Sequence, residues 1–580
     1  MNFSARTEGK DARLNEQASG AGAAAWRQVV SALRDEDKTP LVHLLLRVIE
    51  EQFQRIEEQS QCIEQQGQRI AALEAEVARL KGPRKPASNS KPSALSKPTG
   101  AAPAADGKRP GSAKRSKTKD LPIHEEIPVP PKELPPGSTF VRRDPFVVQD
   151  LVVHTHNTRY LLETWRTPTG AVIRGELPAG IHGHFGPGLL AFLLQQHYAG
   201  HVPQSRLLEE LLDYGVDISA GQVNNILTED HQTFHAEKDA LLPTALQVFT
   251  TLCVDDSGAP HQGKYGSCLC ICNEFFTSFH SSDTKERSKF LDVLRCGHLD
   301  YVLNESAWAY LKEQGLPTKV WRLLQAEESV AAGDSAERTV VAFVEQTFAD
   351  ASVWHQYLDT LGIDNAKQRQ TLTEAALLGS AISHGVSPEL GLVSDGSAIY
   401  ALFVHGLCWI HQERNLAKLT PCGSDQGQAL AEVLTTLWQL YADLKAYRSA
   451  PTPSQAETLR VRFDALVGRT TCWPELNVAL ARMAAKKADL LRVLERPDLP
   501  LHTNTPERDF RDWATKRKIS AGTRGTMGKR CRDTFLSLKS TCKKLGIRFM
   551  SYLHDRITKA GKILSLPELV RKKAASAAPI

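Results

Sequence analysis

The 580-residue chain predicts a multidomain α/β protein, and three observations carry that reading. Two apolar runs end in acids, Leu252-Cys253-Val254-Asp255-Asp256 and Leu392-Val393-Ser394-Asp395-Gly396, which is how a core strand delivers a carboxylate to a sheet's end. Stretches of helical periodicity surround both runs. An N-terminal heptad repeat and a Pro/Ser/Ala/Lys-rich tract stand apart from either. A chain this long exceeds one core and should hold several units.

Composition narrows the class. Hydrophobic residues make up 41% and charged residues 24%, the balance of a soluble globular protein, and the net charge of +5 is unevenly spread. No apolar run approaches the ~18 residues of a membrane span, so no membrane partner is expected. The N-terminus MNFSARTEGKDARLNEQ lacks an apolar signal core, which argues against export. Eleven cysteines without a regular framework fit a reducing compartment.

In chain order, residues 1–38 read as disordered. A coiled coil is expected over 39–82, with a positions Ile49, Ile56, Ile63, Ile70 and Val77 and d positions Leu45, Gln52, Gln59, Gln66, Leu73 and Leu80. Five β-branched a residues favour a two-stranded assembly, hence a homodimer or higher oligomer. Residues 83–135 form a basic linker almost without large apolar side chains. Residues 136–182 read as a small β-rich segment, in which His154 and His156 share a strand face as structural residues. A helical group follows at 183–240. Gly215 ends its second helix, and Ser219 with Gln222 makes a capping box for the third. Two short helices joined by a Gly turn read as a helix-turn-helix that exposes Gln222, Asn224 and Asn225 to base edges, with a plain helical bundle as the alternative.

Strands resume at 246. Cys268, Cys270 and Cys272 alternate along one of them and so share a face; without C-x₂₋₄-C spacing they read as core thiols. A largely helical segment over about 297–390 interrupts the sheet, and after a strand carrying Cys408 and His411 helices dominate. Thr505 as N-cap and Pro506 at the first position would put Glu507 in a first helical turn. Asp255, Asp395 and Glu507 are three separated acids that invite a metal site, whereas Asp395 alone could be a helix cap. Strand alternation turns Asp256, the rival of Asp255, to the opposite face. Between Arg508 and Arg548 stand 13 Lys or Arg against 3 Asp, a surplus that points to a polyanion. Arg508, Lys516, Arg517, Lys518 and Arg524 are the candidate contacts, and residues 521–580 read as a basic helical segment.

The ordered set of motifs resembles the insertion sequence 66 family of DDE transposases. That family shows Asp-Glu-Thr after its first strand, Asp-Gly-x-x-x-Tyr at its second acid, Cys-Trp-x-His, and Asn-x-x-Glu-Arg. Here these positions read Asp255-Asp256-Ser257, Asp395-Gly396 with Tyr400, Cys408-Trp409-Ile410-His411, and Asn504-Thr505-Pro506-Glu507-Arg508. The resemblance implies a ribonuclease-H-like catalytic domain over 246–520 with a helical insertion. It implies Mg²⁺ or Mn²⁺ held by Asp255, Asp395 and Glu507, with Asp255 bridging two ions and Cys408 and His411 bracing the site. It also implies cleavage and strand transfer of double-stranded DNA with terminal inverted repeats, small accessory proteins of the element, and a bacterial, nucleoid-associated location. A catalytically inactive, DNA-binding relative is the alternative. The family's cysteine-rich zinc segment has no counterpart, since no Cys lies between Cys62 and Cys253, so zinc is not expected.

Overall fold

The structure is a computed structural model that describes residue 34, residues 39–55 without 43 and 53, residues 122–331 without 134, 179, 180 and 182, and residues 345–576. The chain divides into two compact units, Met1–Pro92 and Ser93–Ile580. In the first, the described residues from 40 to 55 are helical, and Leu44, Leu45 and Val48 are exposed. The rest of the heptad repeat and most of the linker lie outside the described residues. No described helix is long and apolar enough to cross a membrane.

In the second unit, the β-rich expectation for 136–182 is only partly met. One hairpin forms, β1 (Thr164–Arg166) with β2 (Val172–Arg174), and every residue of both strands is exposed. His154 and His156 lie outside any strand, so the shared strand face does not exist. The physical reason is that, among the described residues, nothing covers either strand of the hairpin to bury an apolar face.

Helices α1 (Pro187–Leu194), α2 (Gln204–Asp213), α3 (Ala220–Thr228), α4 (Gln232–Asp239) and α5 (Leu241–Val248) follow. Gly215 ends α2 at φ +76°, and the Ser219 hydroxyl accepts from Gln222 N at 3.2 Å, as the sequence signals require. Leu207 and Leu211 of α2 meet Val223 and Leu227 of α3 in the core, leaving Gln222, Asn224 and Asn225 exposed.

A five-stranded sheet holds β3 (Thr251–Gly258), β4 (Ser267–Cys272), β5 (Thr277–Ser282), β8 (Gly391–Ser394) and β9 (Val404–Leu407) in the order β5-β4-β3-β8-β9. The first three strands are antiparallel neighbours, while β8 and β9 run parallel to β3. Between β5 and β8 come α6 (Arg287–Leu294), β6 (Tyr301–Leu303), α7 (Glu305–Glu313), α8 (Thr318–Ala331), β7 (Gln346–Phe348), α9 (Ala351–Thr360) and α10 (Ala366–Ser383). Among its described residues the insertion is therefore mostly helical, with one short antiparallel pair, β6 and β7.

Alternation splits the sheet's side chains cleanly. Leu252, Val254, Leu269 and Ile271 face a core shared with the N-terminal helices and the insertion. Cys253, Cys268, Cys270 and Cys272 face the other way, packed as buried apolar thiols against Phe510 and Trp513. Those aromatics belong to α15 (Asn504–Ser520), reached through α11 (Trp409–Ala417), α12 (Ser424–Ser449), α13 (Pro453–Val467) and α14 (Pro474–Ala484). These last helices form a second apolar core around Leu437, Phe463 and Leu480.

The C-terminal α16 (Thr526–Leu545), α17 (Phe549–Thr558) and α18 (Leu566–Ser576) complete the unit. Helix α16 serves the edge strand directly. Thr277 N donates to Thr541 Oγ1 at 3.1 Å, Phe279 N to Ser537 Oγ at 2.9 Å and Ser281 N to Asp533 Oδ2 at 2.8 Å. Four helical residues rise about 6 Å and two strand residues about 6.6 Å, so an i, i+4, i+8 row on a helix can satisfy alternate N–H groups of a strand. The edge is thereby closed to further pairing. Many C-terminal charges consequently point inward: Lys539 pairs with Asp512, and Lys544 with Asp509 at 2.6 Å.

Candidate functional site

The parallel pair β3 and β8 aligns Cys253 with Val393. Continuing that register by two residues sets Asp255, midway along β3, level with Asp395, the first residue past the carboxyl end of the parallel strand β8. Such ends are where open α/β sheets present ligands to a crevice. Gly396, at φ +106°, lets the chain turn away directly after Asp395, and a Cβ there would lie 3.3 Å from Leu407 Cδ2. Asp395 Oδ1 also accepts from Ser397 N at 3.0 Å, so the acid caps its turn as well as facing the crevice.

Asp256 faces the other way, as alternation requires. Its Oδ2 accepts from the Tyr400 hydroxyl at 2.6 Å and pairs with Lys285 at 2.7 Å, which leaves Asp255 as the acid of the crevice.

Glu507 arrives on α15, which begins two residues earlier than the sequence suggests. Thr503 stands at the N-cap and Pro506 is already inside the helix. The tertiary reason is Cys408, whose sulfur accepts from Thr503 N at 3.3 Å, while Trp409 N donates to Leu501 O at 2.9 Å. These two bonds dock the start of α15 beside the end of β9. Neither Cys408 nor His411 is on a strand: β9 stops at Leu407 and His411 lies in α11.

One helical turn beyond His411 comes Arg414, which sequence reasoning missed. Its guanidinium binds both Glu507 oxygens, at 2.6 and 3.0 Å, and His411 Nε2 lies 3.7 Å from Glu507 Oε1. The i, i+3 spacing of His411 and Arg414 on one helix face was the available signal.

The electrostatics bind the acids into one group. Burial pushes the Asp255 carboxyl up to about 7, and the neighbouring charges of Asp395, Asp256 and Glu507 add to the shift. Burial lowers the His411 pKa, with Glu507 and Asp395 opposing, so a neutral imidazole stands beside the acids. The trio's oxygens do not all lie within 4.8 Å of one another. Several buried polar atoms around them lack a hydrogen-bond partner, namely His411 Nδ1, Arg414 Nε and Thr503 Oγ1. Three carboxylates offer the all-oxygen donor chemistry of a hard divalent cation.

The chain also resembles known proteins in sequence. Residues 366–530, which span Asp395, Cys408, His411, Arg414 and Glu507, match the model of the transposase IS66 family. The uncharacterized protein y4jO of Sinorhizobium fredii is 37% identical over 328 residues, covering 55% of this chain and 96% of that protein. The chain belongs to the IS66 transposase family. No solved structure matches it.

Of the basic residues expected to meet phosphate, this IS66 family member exposes Arg508, Lys518 and Arg524. Lys516 is 4% exposed, and its ammonium donates to His197 O at 2.7 Å beneath the Tyr198 ring. Burial lowers its pKa to about 7. Arg517 binds Gly258 O and, at 3.2 Å, Ser257 Oγ, tying α15 to the end of β3. Lys516 therefore cannot reach a phosphate, and Arg517 is committed to the fold. A charge count along a helix does not reveal which face turns inward.

Proposed function

We propose that this family member is a DNA transposase that cuts and joins insertion-element ends with divalent cations held by Asp255, Asp395 and Glu507. The observation carrying the proposal is the register that sets Asp255 of β3 level with Asp395 at the end of its parallel neighbour β8, with a third acid on the helix docked beside them. The strand order, three antiparallel strands followed by two parallel ones, supports a ribonuclease-H-like core. When bound, Mg²⁺ or Mn²⁺ would activate water or a 3′-hydroxyl and stabilise the leaving oxygen at phosphorus.

The chain's own residues set up that chemistry. Burial and the neighbouring acids raise the proton affinity of Asp255, so a cation held there would require its carboxyl to be deprotonated. Asp395 is held by Ser397 N, which fixes one oxygen and leaves the other for a cation. Arg414 orients Glu507 through both carboxylate oxygens, whose remaining lone pairs would be the ones left for a cation. That clamp is also the observation favouring the alternative reading, a DNA-binding relative locked in an inactive state. Exposed Gln222, Asn224 and Asn225 on α3 suit adenine edges in a helix-turn-helix, and Arg508, Lys518 and Arg524 suit phosphates.

Incubating the full chain with DNA carrying the element's ends separates the readings. The transposase reading expects nicking that needs Mg²⁺ or Mn²⁺ and stops in EDTA. Tight, end-specific binding without any cleavage in either metal would establish the alternative.

A further inference from the structure

We propose that His298, Asp300 and His384 form a second cation site, for a borderline first-row ion such as Zn²⁺, that clips together the two ends of the insertion. One ligand atom from each residue lies within 4.8 Å of the others. His384 Nε2 sits 3.0 and 2.9 Å from the two Asp300 oxygens. The rings of His298 and His384 stack with centroids 3.5 Å apart and 8° between planes.

The placement of the three residues gives the cluster its use. His298 and Asp300 lie between α6 and β6, where the insertion begins. His384 caps the C-terminus of α10, where it ends. The frame beneath is rigid. β6 crosses α10 so closely that a Cβ on Gly379 would overlap the Val302 carbonyl oxygen, and Asn304 Nδ2 donates to Gly379 O at 3.0 Å. Ser380, one turn before His384, donates to Asp300 Oδ1 at 2.9 Å, and Arg295 Nη1 donates to Asp300 O at 2.7 Å. Carboxylate ligands held by such outer partners are the usual companions of metal-binding histidines.

Two imidazoles and one carboxylate form a donor set that favours Zn²⁺, Co²⁺ or Ni²⁺ over the Mg²⁺ suited to an all-oxygen trio. In the stack the nitrogens are close but their lone pairs do not converge. Uptake of an ion turns the rings about their Cβ–Cγ bonds, a broad torsion that His298 and His384, which reach solvent, can follow. Water would complete the coordination. His298 and Asp300 precede the region matched by the family model, whereas His384 lies inside it, so the clip would join the insertion's first turn to a helix of the matched region. An ion joining both ends stabilises the folded insertion by mass action.

The test uses the full chain in excess Mg²⁺, which occupies the all-oxygen trio, with Zn²⁺ as the probe. Equilibrium dialysis should find one more tightly held Zn²⁺ per chain in the parent than in His298→Ala/His384→Ala. Zn²⁺ should raise the parent's melting temperature and leave that of the double variant unchanged. Asp300→Asn should weaken binding by about tenfold or more. If the double variant does not fold cooperatively in EDTA, His298→Ala alone, altering an exposed ring, carries the same two readouts. Equal Zn²⁺ content and equal Zn²⁺-dependent melting in parent and variant would overturn the proposal and leave the cluster an Asp–His ion pair with a stacked neighbour.

Discussion

Asp255→Asn should abolish metal-dependent cleavage of end-containing DNA while making the metal-free protein more stable at neutral pH. The sign follows from proton linkage. Asp255 titrates near 7 in the folded chain, against about 3.9 for an unperturbed Asp. Between those values the folded state holds a proton that the unfolded state has lost. Folding stability therefore falls as pH rises from about 4 through about 7, by an amount on the order of 3–4 kcal/mol at most. The Asn side chain keeps an oxygen for Asp256 N, which donates at 2.8 Å to Asp255 Oδ1 in the parent, and removes the buried charge. Urea unfolding of parent and variant in EDTA at pH 5 and pH 8 checks this. The parent should lose stability between the two, and the variant should lose clearly less. A variant that is less stable than the parent at pH 8 would mean that Asp255 is held by a partner and does not share its crevice with other acids.

Gly379→Ala should be the most damaging single-methyl change in the insertion. A Cβ at that position overlaps the carbonyl oxygen of Val302, a backbone atom of β6 that cannot rotate away. Helix and strand would have to part, disturbing the Asn304 bond to Gly379 O and the packing of Leu303 and Ala376. Overpacking typically costs 1–3 kcal/mol, and a backbone collision belongs at or above the upper end, about 3 kcal/mol. Chemical denaturation measures it directly. Stability equal to the parent's would mean that the insertion's strand–helix contact is looser than the structure has it.

Much of the central sheet was legible in the sequence because its signals are local. Apolar runs ending in Asp255 and Asp395, the alternation of Cys268, Cys270 and Cys272, the Ser219 cap and the Gly215 turn each follow from the order of neighbouring residues. Asp256 was turned to the opposite face by the same two-residue period. The parts that were not legible depend on contacts between distant residues. The two-residue advance in the start of α15 follows from the bond between Thr503 N and the Cys408 sulfur. Lys516 and Arg517 look like any solvated basic stretch until the π-helical turn Gln195–Ala199, which carries His197, and the end of β3 close over them. The row Asp533, Ser537, Thr541 reads as ordinary helix surface, because nothing in it announces that an unpaired strand edge lies opposite. Residues 136–182 have strand-like composition but gain no partner layer, and only a single hairpin forms.

The central claim is that Asp255, Asp395 and Glu507 act as one cation site. Its most direct test is a Mn²⁺ titration followed by electron paramagnetic resonance, run on the parent, Asp395→Asn and Glu507→Gln. The parent should remove Mn²⁺ from solution saturably and release protons at pH 6–7 as Asp255 ionises. Both variants should lose that binding together, by tenfold or more in affinity, while keeping the parent's fold in EDTA. Undiminished Mn²⁺ affinity in Asp395→Asn and Glu507→Gln would contradict the shared site and reduce Asp395 to the cap of its own turn.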